Sequence, residues 1–237
     1  MEDVFDELLL GTSSGAVWLE ARPFNRSEAV AALQTRVHSC RLCQERGHIP
    51  RAHPITEGRA SDRILLIGQA PGHVAVEHGR PFTGQTGRIL EGWLGRAGFP
   101  PSSLHERIHL ISLTKCDPGK SPRSAGDRQP SLAEIALCRP HLQAELTLLR
   151  PEVIILLGSL AIAQFLGNQR LEDVVGRAFG SRDVVWRPLW PGHARARVLP
   201  LPHASSMSRW LNPPAHKALL QEALAHLSLW REEMQLR

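Results

Sequence analysis

The sequence predicts an α/β protein built on a parallel sheet, and three observations predict it. Four short apolar runs, at 63–68, 108–113, 153–157 and 197–201, have the length and composition of strands buried on both faces. Segments of helical period lie between them, so strands and helices alternate. Turns rich in Gly and Pro follow the carboxyl ends of the runs, which is where open α/β sheets bind ligands.

Taken in order, residues 1–26 hold two Gly/Ser interruptions and no sustained period, and are expected to be a loosely attached extension of a single domain over 27–237. Ser27 is expected to cap a helix over 28–37, apolar at Ala29, Ala32, Leu33 and Val37, which delivers Cys40-Arg41-Leu42-Cys43. Residues 44–61 are polar, with Pro50 and Pro54, and read as loop. The first strand runs into Gly68-Gln69-Ala70-Pro71-Gly72, and Phe82 follows inside Gly79-Arg80-Pro81-Phe82-Thr83-Gly84. A helix over 85–97 ends at Gly98 and Pro100. The second strand leads to Thr114-Lys115-Cys116 and then to a polar loop over 117–130. Ser131 and Glu134 form a capping box that opens a helix carrying Cys138, and Pro140 is expected to kink or restart it. After the third strand comes a helix over 159–166 closed by Gly167, and 174–190 reads as irregular strand or hairpin. The fourth strand ends at Pro202-His203, and an amphipathic helix over 214–234 closes the chain.

The totals restrict the function. The 237 residues suffice for one substantial core. Basic residues number 28 against 23 acidic, a net charge of +5, with Lys only at Lys115, Lys120 and Lys217. Arginine forks meet phosphate oxygens in two-point contact, so the bias suits a polyanion. No segment has the length of a membrane span, and the acidic amino end is unlike a secretory signal, so a cytosolic protein without membrane contact is expected. No oligomer interface is legible, and a monomer is expected. In a reducing compartment paired cysteines read first as metal ligands. The four cysteines stand at 40, 43, 116 and 138, and could close on one site. Zinc and a [4Fe–4S] cluster both accept four thiolates, and buried free thiols are the third reading.

The turn after the first strand is neither a dinucleotide fingerprint nor a P-loop, since G-x-G-x-x-G and G-x-x-x-x-G-K-[ST] are both absent. Backbone amides beside a lone aromatic plate, Phe82, suit a flat ring with polar edges such as a nucleobase.

With these pieces in place the chain resembles the uracil-DNA glycosylases, most nearly the bacterial and archaeal family 4 enzymes. The family's G-E-[AG]-P-G and G-R-P-F-[VT]-G motifs are matched by residues 68–72 and 79–84. Lys115-Cys116, Arg128, Pro130, Glu134 and Cys138-Arg139-Pro140 match its second pattern, and His203-Ala204-Ser205 its H-P-S motif. The likeness runs from about Cys40 to Leu211. It implies a three-layer α/β/α sandwich with a short four-stranded parallel central sheet, and a structural [4Fe–4S] cluster on Cys40, Cys43, Cys116 and Cys138. It also implies hydrolysis of the N-glycosidic bond of deoxyuridine in single- or double-stranded DNA, by base flipping, at the start of base-excision repair.

The roles follow by position. His203 would donate a hydrogen bond to uracil O2 as charge develops there. Phe82 would stack on the base, backbone amides around Gln69 and Ala70 would meet its carbonyls, and Ser112 would read O4 or N3 through one hydroxyl. Asp127 either orients the attacking water or caps its loop. Ser205, Met207 and Arg209 would face DNA, with Met207 as the wedge that fills the emptied stack. The chain departs from the family at Gln69, where the motif has Glu, and at Ser112 and Asp127, where it has Asn; Gly72 stands where family 1 has its thymine-excluding Tyr. These departures keep two further functions open: a glycosylase of wider range (hypoxanthine, xanthine, mismatched thymine), and a catalytically weak cluster-bearing nucleic-acid-binding module.

Overall fold

The computed structural model describes residues 25–122, 126–185, 196–205 and 208–235. The elements in chain order are α1 (Arg26–Ser39), α2 (Leu42–Glu45), β1 (Ile64–Gly68), α3 (His73–His78), α4 (Gln85–Arg96), α5 (Ser103–Glu106), β2 (Ile108–Ser112), α6 (Leu132–Leu149), β3 (Val153–Leu157), α7 (Ser159–Leu166), α8 (Leu171–Val174), β4 (Phe179–Gly180), β5 (Arg197–Leu201) and α9 (Pro214–Glu233).

The sheet has the order β2-β1-β3-β5-β4. Its first four strands are parallel and in full register, with Gly68 beside Ser112 and Leu157 beside Leu201 at their carboxyl ends. Alternation along β1 sorts the core into two layers. Ile64 and Leu66 join Leu90, Trp93, Leu224 and Trp230 of α4 and α9 on one face. Leu65 and Ile67 join Ile135, Leu146, Ile162 and Phe165 of α6 and α7 on the other, with Val30 of α1. This is the three-layer sandwich that the sequence implied.

The fifth strand is a correction to the four expected. Phe179–Gly180 pairs antiparallel with Val198 and Arg197 at the β5 edge. Two residues carry no measurable period, which is why 174–190 reads as irregular strand or hairpin and not as a counted strand; its last residues, 186–190, lie outside the described residues. Two further readings change. Asn25 caps α1 in place of Ser27, its Oδ1 accepting from the backbone N–H groups of Ser27 and Glu28. Pro140 sits inside α6 without ending or restarting it. An interior proline costs about 3 kcal/mol, which the buried face of Ile135, Leu142, Leu146 and Leu149 offsets. The four short helices α2, α3, α5 and α8 were not legible at all.

Among the described residues no helix is long and apolar enough to cross a membrane.

Candidate active site

Parallel strands leave their carboxyl ends at one edge, and in the order β2-β1-β3-β5-β4 the connection after β1 runs outward to β2 while the one after β3 runs the other way, toward β4 and β5. Such a switch point opens a crevice. Here it is a cavity of about 420 Å³ lined by Gly68, Gln69, Ala70, Phe82, Ser112, Asp127, His203 and Ser205, among others. Seven of the residues singled out from the sequence (Gln69, Ala70, Phe82, Ser112, Asp127, His203 and Ser205) thus converge, although they come from five separate stretches of chain. Arg209 is exposed and is not among the lining residues. Met207 lies outside the described residues.

Phe82 is held by close packing. Its backbone is left-handed, φ 54°, a conformation uncommon for a bulky residue. A Cβ at Gly87 would stand 1.6 Å from the Phe82 carbonyl oxygen, so only glycine lets the start of α4 sit against this loop. A Cβ at Gly68 would stand 3.0 Å from Phe82 Cζ and 3.5 Å from Ser112 Oγ. The aromatic edge, the glycine and the serine hydroxyl therefore share one floor. Arg80, two residues before Phe82, makes a bidentate pair with Glu57. Glu57 is itself bridged to Leu110 of β2 through both backbone groups. That pair was missed in the sequence because its two members are 23 residues apart and Glu57 lies in a stretch that read as loop.

His203 follows β5 and sits half-buried at the other wall. Burial pushes its imidazole below the ordinary value, which favours the neutral ring. Among the described residues nothing hydrogen-bonds that ring, which leaves its nitrogens to a ligand.

Asp127 enters from the 117–130 loop, which folds back as a small hairpin with Lys120 bridged to Asp127 and Arg128 N–H donating to the Gly119 carbonyl. Lys120 Nζ stands 2.8 Å from Asp127 Oδ1, and the backbone N–H of His73 donates to Oδ2 at 3.3 Å. A Cβ at Gly72 would stand 2.8 Å from that same Oδ2, so the room above Gly72 is taken by the carboxylate. Lys120 was also missed. Its signal was the pair of glycines, Gly119 and Gly126, that flank the hairpin.

Next to Asp127, Arg128 is fixed by a two-point pair with Glu134, both contacts at 2.7 Å, and it also donates to the His48 carbonyl. Glu134 completes the capping box with Ser131. Burial alone would raise the Glu134 carboxyl, but the hydrogen bonds from Arg128 and Ser131 outweigh it and hold the group down at about 2. A carboxylate with a depressed folded-state pKa stabilises the fold above its unfolded value of about 4.3, and that stability is lost as pH falls toward 2. Glu134→Gln is expected to cost about 3 kcal/mol at pH 7 and to flatten the acid limb between pH 4.5 and 2. Urea titrations at several pH values measure both.

The four cysteines line a second, smaller pocket with Leu42, Ala52, Pro54 and Leu137. Cys40 is the C-cap of α1, Cys43 lies in α2, Cys116 follows β2, and Cys138 is buried in α6. Burial pushes the Cys116 thiol up to about 12 and Cys138 to about 11, and raises Cys43; neighbouring sulfurs add to each shift. Thiols so placed ionise when a bound cation compensates them. Among the described residues no three His, Cys, Asp or Glu side chains close on a point that would hold a single ion. As a donor set, four sulfurs on one apolar pocket fit an iron–sulfur group.

Comparison with known proteins bears on this arrangement. The pattern of the uracil DNA glycosylase superfamily matches residues 55–228. The type-4 uracil-DNA glycosylase of Thermotoga maritima is 28% identical over 149 residues, 62% of this chain and 71% of that protein. The Pyrobaculum aerophilum type-4 enzyme is 28% identical over 155 residues, 63% and 74% of the two chains. That of Saccharolobus solfataricus is 26% identical over 187 residues, 78% and 79%. With the match running from before β1 into α9, across every strand that lines the cavity, the chain belongs to the uracil DNA glycosylase superfamily.

Proposed function

We propose that the protein is a monofunctional uracil-DNA glycosylase that flips deoxyuridine out of DNA, hydrolyses its N-glycosidic bond and leaves an abasic site. The observation that carries this reading is the meeting of Phe82, Ser112 and His203 on one cavity. An aromatic face, a hydroxyl and a free imidazole are what a flat ring with polar edges requires. The type-4 name shared by the relatives supports the same reaction.

In the proposed mechanism the everted uracil stacks on Phe82 and rests over the Gly68–Gly72 turn, where backbone amides near Gln69 and Ala70 meet its carbonyls. Ser112 reads the O4 or N3 edge. As the glycosidic bond breaks, charge moves onto uracil O2, and the neutral His203 donates a hydrogen bond that strengthens with it. Extrusion costs a few kcal/mol, least from a mismatch or a single strand. Ser205, Met207 and Arg209 are assigned to the DNA side, Met207 as the wedge and Arg209 on phosphate.

Asp127 is the group we assign to the attacking water. It is the one carboxylate among the described residues that line the cavity, and Lys120 together with the His73 amide fixes its aim. Asp127→Ala is expected to slow single-turnover excision by about 100-fold, the lower end for a positioned general base, with little change in DNA affinity. An unchanged single-turnover rate would reduce Asp127 to a loop cap.

Cys40, Cys43, Cys116 and Cys138 are proposed to hold a [4Fe–4S] cluster whose contribution is structural, tying α1 and α2 to α6 and to the chain after β2. Zinc is the alternative, and a brown preparation with broad visible absorbance decides for the cluster. The working unit is taken as a cytoplasmic monomer, a single domain over 27–237 carrying a short extension.

The test is incubation with end-labelled uracil, hypoxanthine and thymine-mismatch oligonucleotides, followed by alkaline cleavage. Strand breaks at uracil are expected. Breaks at hypoxanthine or mismatched thymine would widen the substrate range. Binding with no break at any base would leave a nucleic-acid-binding module.

A further inference from the structure

We infer that Lys115 is a positioning residue that sets the base-reading end of β2 by reference to the helix that carries Cys138. This deepens the glycosylase reading and rests on it.

Lys115 is 1% exposed and is the largest fully buried side chain among the described residues. Its ammonium stands 2.6 Å from Glu145 Oε2 and donates to the Ser112 carbonyl at 3.0 Å. Glu145 lies on α6, seven residues after Cys138 and so on the same face of the helix, and its other oxygen accepts from Thr56 at 2.9 Å. The backbone N–H of Lys115 donates to Cys138 Sγ at 3.2 Å, while its carbonyl accepts from Ile55. One residue thus holds the Ser112 main chain with its side chain and a cysteine sulfur with its backbone.

A buried ion pair is weak as a source of stability, because desolvation offsets the attraction. Its geometry is demanding, however, and here that geometry has a use. Ser112 is itself only 3% exposed, and it presents its hydroxyl to the cavity from the last position of β2. Beyond it the ladder with β1 continues irregularly, with Leu113 and Thr114 donating to the carbonyls of Gly68 and Gln69. The Leu113 N–H and the Ser112 carbonyl belong to one planar peptide, so Gly68 holds that unit from one side and the Lys115 ammonium from the other, and Glu145 anchors the ammonium. Displacement of α6 at the cysteine pocket is therefore felt at Ser112.

The experiment replaces both charges together, Lys115→Met with Glu145→Gln, so that neither is left buried alone and Thr56 keeps an acceptor. Thermal denaturation, hydrogen exchange of the peptide spanning Ser112, and uracil excision are measured on this protein, on Ser112→Ala and on the combination. The double variant is expected to melt near the wild type, to lose exchange protection at 112–116 while β3 keeps its own, and to lose about tenfold or more in kcat/KM. Adding Ser112→Ala is expected to bring little further loss, because both changes act through one contact. Full additivity of the two losses, or wild-type protection and kcat/KM in the double variant, overturns the inference. Absence of uracil excision by the wild type would instead overturn the function, with the exchange pattern at 112–116 still deciding for or against Lys115.

Discussion

Replacing His203 with alanine is expected to slow the single-turnover release of uracil by about 10²–10³-fold, or about 2.7–4 kcal/mol of barrier, the loss associated with one preorganised donor. The size follows from where the side chain sits. Burial keeps the imidazole neutral, so it donates to the departing base without first taking up a proton. Nothing among the described residues competes for its nitrogens, so no reorganisation precedes the donation. His203→Gln retains a donor and should fall between wild type and alanine. The pH profile is a second check. The folded-state value lies below the ordinary one of about 6.5, so the neutral form persists across and above that pH. The single-turnover rate is therefore expected to hold level from pH 6.5 to 8 and to weaken only on the acid side. A rate that collapses as pH rises through that window would mean that a protonated imidazole does the work.

Cys138→Ala carries the largest expected effect on stability. The cysteine lies on α6 between residues buried in the core, and α2, the segment that supplies Cys43, contains no buried residue of its own. Structural metal binding contributes on the order of 10 kcal/mol to the folding of small domains, and domains as a class have only about 5–15 kcal/mol in total. The variant is expected to purify without iron and without visible absorbance, and to melt on the order of 10 °C or more below the wild type. Iron and sulfide analysis beside calorimetry measures this. A colourless variant that melts with the wild type would leave the four cysteines as ordinary buried thiols.

Much of the fold was legible because parallel strands must be apolar on both faces, and runs such as Val153–Leu157 have no second reading. Caps were legible where the motif is reciprocal, as with Ser131 and Glu134, and misplaced where two candidates lie close together, as with Asn25 and Ser27. Pro140 misled because local chemistry argues for a break, whereas the decision was made by residues such as Leu142 and Leu146 packing onto the sheet. The site was legible in its chemistry-bearing residues, since Phe82, Asp127 and His203 each stand in a distinctive turn. Their supports were not. Glu57 finds Arg80, and Glu145 finds Lys115, only once strands and helices have been laid side by side; a charged residue alone on a sequence line names no partner.

The register of the parallel ladder has one more consequence. The aromatic plate packs over Gly68 at the end of β1 and the imidazole over Gly158 just past β3, so the opening is gauged by neighbouring strands, about 5 Å apart. Such a gauge is cut by main-chain bonding and is indifferent to insertions in the surface turns above it. Selection for a different damaged base would then proceed by trimming or enlarging what lines the jaws, at a position such as 112, while the jaws themselves keep their width.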